Sequence, residues 1–407
     1  VVITGIGVVS PVGIGIEAFW EGLLGGRCGV GRIQAFDPEG FGTEIAAEVK
    51  DFRPEDYMDR RTARRIARFS QFAVAAARLA QEDAGIAPRP EATEDIGIIL
   101  GVSVNGVQPM EEEIRKLLEK GPGSVHPFGA ARCYPGAGAA NISVELGLGG
   151  ESTTISTGCS ASTNAIGYAF RNIKLGLSDV IFAGGTEAPV TPVMVSTFRN
   201  ARTLSSRNSD PQAASRPFER SRDGWVLGEG ASILVLEERE AALRRGARAY
   251  AEIRGYASNS DRFDVLRVCP DETQASRAFK SACREARINP EDVEYVNAHG
   301  SSSVTADLRE TRALKRVLGR RAYKVPVSSL KSMVGHPLGA SGSLQAAACA
   351  LAIERGAVPP TINYEEPDEE CDLDYVPNEA RDCPVGVAMN QALGLGGNNA
   401  CLVMARA

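Results

Sequence analysis

Three histidines and nine cysteines are what this chain of 407 residues offers for imidazole and thiol chemistry, and their settings differ. Cys159 follows a strand-like run at residues 153–156 and sits in the turn Gly158-Cys159-Ser160. A helical pattern with Ile166, Phe170 and Ile173 on one face comes next. Unpaired N–H groups and the positive end of a helix dipole at such a turn are expected to lower the thiol pKa and to make a nucleophile. The other eight cysteines include no Cys-x-x-Cys pair and read as structural thiols of a reducing, cytoplasmic setting. His299 lies in Asn297-Ala298-His299-Gly300-Ser301-Ser302-Ser303, at a strand end before a small-residue turn. His336 lies in Gly335-His336-Pro337-Leu338-Gly339-Ala340-Ser341-Gly342, again among small residues that let a ligand approach closely. His126, in Ser124-Val125-His126-Pro127, has no such surroundings and reads as structural. Lys331 follows a strand at 325–328. A partly buried lysine needs a carboxylate, and Glu310, on the helix after the His299 turn, is the expected partner.

The elements that must position these groups alternate. Strand-like runs at 1–5, 96–100, 153–156 and 180–183 are interleaved with helical patterns, among them 62–84, where Ile66, Phe69, Phe72, Ala73, Ala76 and Leu79 recur at three- and four-residue steps. The second half repeats the alternation: strands at 250–256, 293–298, 325–328, 386–390 and 400–405, with helices at 273–285, 307–318 and 344–354. This predicts an α/β fold in two comparable halves. Residues 202–224 and 359–384 read as long loops.

Composition narrows the function. Hydrophobic residues make up 43% and charged residues 24%, which suits a large core and excludes disorder. With 45 basic against 51 acidic residues, the net charge of −6 gives no global basic field for nucleic acid. No apolar run approaches the roughly 18 residues that span a bilayer, so no membrane partner is expected. The apolar residues 1–9 are interrupted by glycine and read as a first strand rather than a signal peptide. Neither Gly184-Gly185 nor Gly394-Leu395-Gly396-Gly397 is followed by the Lys-Ser/Thr of a P-loop, so nucleotide binding is a weak reading.

Taken in order, Ser156-Thr157-Gly158-Cys159-Ser160, Asn297-Ala298-His299-Gly300 and the run from Lys331 to His336 resemble the Cys–His–His set of the β-ketoacyl-acyl-carrier-protein synthases, condensing enzymes of the thiolase superfamily. The resemblance runs almost end to end. It includes Val2-Ile3-Thr4-Gly5-Ile6-Gly7, the stretch around Arg216-Pro217-Phe218 and the C-terminal Gly394–Asn399. It is strongest to elongating synthases and to ketosynthase subunits of bacterial type II polyketide systems. It implies a thiolase-like, duplicated αβαβα five-layered sandwich with halves at 1–247 and 248–407, acting as a homodimer or as a heterodimer with a chain-length-factor-like subunit. The implied activity is decarboxylative Claisen condensation, in which an acyl chain on Cys159 is extended by malonyl-acyl carrier protein. The backbone N–H groups of Cys159 and Leu395 would form the oxyanion hole. His299 and His336 would bind the malonyl thioester, and Lys331 with Glu310 would hold the histidine geometry. Ser301 and Ser303 would contact a phosphopantetheine arm; Val104, Phe198 and Gly138 would line the acyl channel. No metal or organic cofactor is implied, because substrates arrive on the arm of the carrier protein.

Departures from the family pattern bear on substrate. Leu395 stands where relatives carry a gating Phe, and Arg267-Val268-Cys269-Pro270 replaces a Met-Thr-x-Pro stretch. The small side chains of Gly136, Ala137, Gly138 and Ala139 suggest a wide channel. These features favour a polyketide or polyene substrate, with housekeeping fatty-acid elongation as the alternative. Arg60, Arg61, Arg64, Arg65 and Arg68 fall at helical spacing, with 60, 64 and 68 in one stripe, and with Arg202 are expected to receive an acidic carrier protein. Two other readings fit less well. A non-catalytic chain-length-factor-like subunit would lack the Cys, and a Cys hydrolase leaves the second His and Lys331 unexplained.

Overall fold

The computed structural model describes residues 1–407, the side chain of Pro90 apart. Its centre is one mixed sheet. In chain order the main-path strands are β1 (Val2–Ser10), β2 (Gly97–Val102), β3 (Ser152–Ser156), β4 (Val180–Glu187) and β5 (Gly230–Glu237), then β6 (Ala251–Ser260), β7 (Tyr295–Asn297), β8 (Val327–Ser328), β9 (Val387–Leu393) and β10 (Asn398–Ala405). Across the sheet they run β8-β7-β9-β10-β6-β1-β5-β4-β2-β3. Counted within each set of five, both halves read 3-2-4-5-1 from outer edge to centre, so the second half repeats the topology of the first. The halves meet at the antiparallel β1–β6 pair. The outer strands of each half are parallel, β2 to β3 and β4, and β7 to β8 and β9.

The helices repeat as well. The first half carries α1 (Arg68–Asp83), α2 (Ala137–Leu146) and α3 (Ala161–Lys174); the second carries α4 (Thr273–Ala286), α5 (Val304–Leu318) and α6 (Ser341–Arg355). Helix α1 covers β1 and β5 and packs on α2, while α4 covers β6 and β10 and packs on α5. Between these outer layers α3 and α6 lie against each other, and each touches strands of both halves. The result is five layers, helix–half-sheet–helix–half-sheet–helix, the two half-sheets being continuous through the β1–β6 pair. Sequence follows position. Helix α6 is buried on all sides from Ser341 to Ile353 and accordingly carries alanine, leucine and cysteine all round. Helix α4 covers one sheet face and confines its buried residues, Ala275, Ala278, Phe279, Ala282 and Ala286, to one stripe. Gly7 lets α1 lie close on β1, since a Cβ there would strike the Ala76 carbonyl.

Most expected elements are present, with bounds shifted by a few residues. The helix expected at 62–84 is two. Arg60–Arg65 is a short helix capped by Asp59, the backbone extends at Ile66 and Ala67, and α1 begins at Arg68. Strand β5, helix α2 and the helices Ile16–Leu24, Val107–Lys120 and Pro192–Asn200 lie beyond the elements expected from sequence.

Candidate active site

The repeated topology brings four turns to one place. Cys159 follows β3, the third strand of its half, in the 3-10 turn Gly158–Ser160 that leads into α3. His336 follows β8, the third strand of the other half, ahead of α6. Because α3 and α6 are neighbours, these two turns meet; the Ser343 N–H donates to Ser162 Oγ at 2.9 Å. His299 leaves the end of β7, and Leu395 opens the turn between β9 and β10. Cys159, His299, His336 and Leu395 line a single pocket, together with Ser301, Ser303, Trp225 and Arg309. Phe198 belongs to the apolar cluster that contains Cys159, and Val104 packs against that cluster; neither is among the residues that line the pocket.

Each turn is tied down. Asn164 Nδ2 donates to Thr157 Oγ1 at 2.7 Å, and the Tyr256 hydroxyl donates to Asn164 Oδ1 at 2.8 Å, fixing the cysteine turn. Glu310 accepts the N–H groups of His299 and Gly300, each at 2.7 Å. Asp307, one turn earlier on α5, accepts those of Ser301 and Phe218 at 3.0 and 2.9 Å. The His336 N–H donates to the Val226 carbonyl at 2.7 Å, and its Nδ1 lies 3.0 Å from Ser341 Oγ. A hydroxyl proton given to Nδ1 leaves the ring proton on Nε2. The His336 ring stands edge-to-face with His299, 5.3 Å between centroids, and with Trp225 at 5.2 Å. His299 Nδ1 is buried without a partner.

Burial and Lys331 set the electrostatics. Both histidines are held well below the ordinary imidazole pKa, first by burial and then by the nearby Lys331 charge, so both are neutral at pH 7. Lys331 Nζ donates to the His299 carbonyl at 2.6 Å and to Gln345 Oε1 at 3.0 Å. Glu187, at the end of β4, is fully buried and accepts the N–H groups of Ser103, Val104 and Gly339 at 2.7, 3.0 and 3.0 Å. Burial pushes its carboxyl up to about 8 against those three donors. Among the described residues, no group of three His, Cys, Asp or Glu is placed to hold a metal ion.

Four expectations need correction. The cysteine thiol is not lowered: burial pushes it up to about 11, opposed by the Leu395 N–H and the Lys331 charge. Lys331 and Glu310 form no ion pair. The Glu310 carboxylate is spent on two backbone N–H groups, and Lys331 reaches a carbonyl and an amide instead. Arg68 is not part of a surface stripe, because the helix breaks before it and its guanidinium pairs with the buried Glu229 at 2.6 Å. Gly138 faces the core rather than the pocket; a Cβ there would sit 2.6 Å from Leu100 Cδ2. Arg60, Arg61, Arg64 and Arg65 do form one surface cleft, with His126. Arg202 is exposed and precedes Thr203, which lines the pocket. Residues missed in the sequence are Gln345, Glu187, Ser341 and Trp225. Gln345 had a signal, as the one amide in an alanine-rich helix; the carboxylate of Glu187, at the close of an apolar strand before Ala188-Pro189, had a weaker one.

The model described as "Beta-ketoacyl synthase, N-terminal domain" matches residues 1–242, and "Beta-ketoacyl synthase, C-terminal domain" matches 250–365. A "3-oxoacyl-[acyl-carrier-protein] synthase 2" from Synechocystis sp. is 43% identical over 402 residues, covering 99% of this chain and 97% of the relative. A protein of the same name from Staphylococcus aureus is 42% identical over 403 residues, with coverage of 99% and 97%. Among solved structures, a type II polyketide ketosynthase in complex with its acyl carrier protein matches with a TM-score of 0.91 at 34% identity, covering 100% of this chain and 98% of the other. A β-ketoacyl synthase from Burkholderia phymatum matches with a TM-score of 0.92 at 36% identity, covering 100% and 99%.

Proposed function

The chain belongs to the β-ketoacyl synthase family, and on that premise we propose that it condenses acyl and malonyl units through Cys159, His299 and His336. The reaction is a decarboxylative Claisen condensation. The Cys159 sulfur attacks the thioester of an acyl carrier protein, the C–S bond to the carrier breaks, and the thiol proton passes to the leaving carrier thiolate. Malonyl carrier then loses carbon dioxide. The electron pair of the broken C–C bond becomes an enolate, whose oxygen accepts hydrogen bonds from the two neutral imidazoles. The enolate carbon attacks the Cys159 thioester, a C–C bond forms, and the cysteine leaves as thiolate and regains a proton. The Leu395 and Cys159 N–H groups, both of which act on the thiol, are the donors for the tetrahedral oxyanion.

The observation that carries this reading is the convergence of two buried, neutral imidazoles and one cysteine on a single pocket. Cys159→Ala should abolish acyl loading in intact-mass measurements, whereas Cys269→Ala and Cys401→Ala should not. His299→Ala and His336→Ala should lower malonyl decarboxylation more than acyl transfer to Cys159. Equal loss of both half-reactions would overturn the enolate role.

As to substrate, the reading that favoured polyketides gives way to housekeeping fatty-acid elongation. The curated relatives named 3-oxoacyl-[acyl-carrier-protein] synthase 2 are 42–43% identical, against 34% for the type II polyketide ketosynthase. Gly138, which faces the core, no longer argues for a wide channel. The carrier partner is supported by the cleft of Arg60, Arg61, Arg64 and Arg65, a local basic surface on an acidic chain. Pairing with a second copy is supported by β3, an edge strand with residues open to solvent, and by Met110, Ile114, Leu117 and Leu118, an exposed apolar face on the helix Val107–Lys120. A chain-length-factor-like subunit of the same fold would use the same surface. Among the described residues, no helix is long and apolar enough to cross a membrane. A cytoplasmic setting is supported by nine free cysteines.

A further inference from the structure

We propose that Gln345 is a positioning residue of the condensing site: its amide turns the Lys331 ammonium onto the His299 carbonyl without neutralising it, and the charge so retained keeps both imidazoles unprotonated. This rests on the enolate role given above to His299 and His336.

The geometry allows Gln345 one orientation. Its Nε2 donates to the carbonyls of Ala298 at 2.9 Å and Gln391 at 3.0 Å, with Asn297 O a longer third contact at 3.3 Å. These carbonyls belong to the end of β7 that carries His299 and to β9, which leads to Leu395. With the amide nitrogen committed, Oε1 has to face Lys331, and it accepts from Nζ at 3.0 Å. Turned over, the amide would set its oxygen against three carbonyl oxygens and its N–H groups against an ammonium. One side chain thus links the His299 strand, the strand that leads to the oxyanion donor, and the lysine.

The choice of amide over carboxylate has an electrostatic consequence. Gln345 and Lys331 are each 2% exposed. The titratable groups that bear on Lys331 are Glu310 and Asp307 of α5 and Cys159 of the turn before α3; His299, His336 and, more weakly, Arg309 complete the site. Neither α5 carboxylate reaches Nζ. Each accepts two backbone N–H groups and steadies the histidine turn, and Asp307 also pairs with Arg222 at 3.7 Å. A carboxylate at position 345 would neutralise Lys331 directly and leave its other oxygen facing carbonyls. The amide holds the lysine by a neutral acceptor. Burial then lowers the lysine pKa well below the ordinary range, and its positive charge in turn disfavours an imidazolium at His299 or His336.

The test is the pH profile of malonyl-carrier decarboxylation, read beside acyl loading of Cys159 in the same samples. In the native protein decarboxylation should persist below the ordinary imidazole pKa of about 6.5, because burial and the Lys331 charge keep both rings unprotonated. Gln345→Glu should raise that acid limb by about half a pH unit or more, because a carboxylate beside Lys331 cancels the charge that disfavours an imidazolium. Lys331→Met, which removes the charge, should raise the limb as well, and Lys331→Arg, which keeps the charge, should not. An acid limb raised by both charge-cancelling variants, with loading retained in Gln345→Glu, is the expected result. A uniform drop in rate with no movement of the limb would reduce Gln345 to a packing role and overturn the proposal. So would a native acid limb at or above about pH 6.5, which needs no variant to fold. Loss of Cys159 loading in the native protein would instead overturn the reading of the site itself.

Discussion

At the scale of the residue, the site works by burial more than by local dipoles. The strand–turn–helix setting of Cys159 argues for a lowered thiol pKa, but removal from water outweighs the Leu395 N–H and the Lys331 charge and raises it to about 11. Free Cys159 should therefore be a slow target for haloacetamide at pH 7. Its alkylation rate should climb about tenfold per pH unit up to about pH 10, followed by the mass of the Cys159 peptide, since only thiolate reacts. A rate that levels off below pH 9 would mean that the turn lowers the pKa after all. Cys159, His299, His336 and Lys331 are legible in sequence because few residue types do this chemistry and each is framed by Gly and Ser. The partners are not. Spacing places Glu310 and Lys331 near each other but cannot say that the carboxylate turns to the His299 and Gly300 N–H groups, which leaves Gln345 to receive the lysine.

At the scale of the element, the arginine run shows where periodicity stops informing. Five arginines at three- and four-residue steps predict one stripe, yet the extended backbone at Ile66 and Ala67 rotates Arg68 away from the rest. Arg68→Ala should cost about 3 kcal/mol in a denaturation curve, because Glu229, almost wholly buried, loses its partner. Arg64→Glu should stay within about 0.5 kcal/mol of the native stability. It should still weaken capture of carrier protein at low salt, a difference that shrinks as salt is raised. If Arg68→Ala leaves stability intact and weakens the carrier instead, the single-stripe picture returns. Helices with a clean apolar stripe, such as α4, were legible nearly to the residue. The helix Val107–Lys120 was not: its apolar residues Met110, Ile114, Leu117 and Leu118 face solvent rather than this chain's own core, so the pattern has no partner inside the chain.

At the scale of the whole molecule, the duplication suspected from alternating strands and helices is plain in the 3-2-4-5-1 order of both halves, although no repeat is visible in the residues themselves. Strand order depends on pairings between distant segments, and a single sequence carries little record of them. The open edge at β3 ends the first half's sheet. The Ile98 N–H bonds to the Glu151 carbonyl, so by alternation the Thr154 N–H points outward. Thr154→Pro should therefore leave the monomer folded while shifting native mass from dimer toward monomer. An unchanged dimer would move the interface elsewhere. The division of the site between the halves has a consequence in time. During synthesis Cys159 appears long before His299, His336 and Leu395. Until they follow, the sulfur has neither its second oxyanion donor nor the imidazoles, and α3 lacks α6, the helix that packs against it. Strands β7 and β8, which lead to His299 and His336, join the sheet through β9 and β10, so the site is complete only once the last strands of the chain are in place.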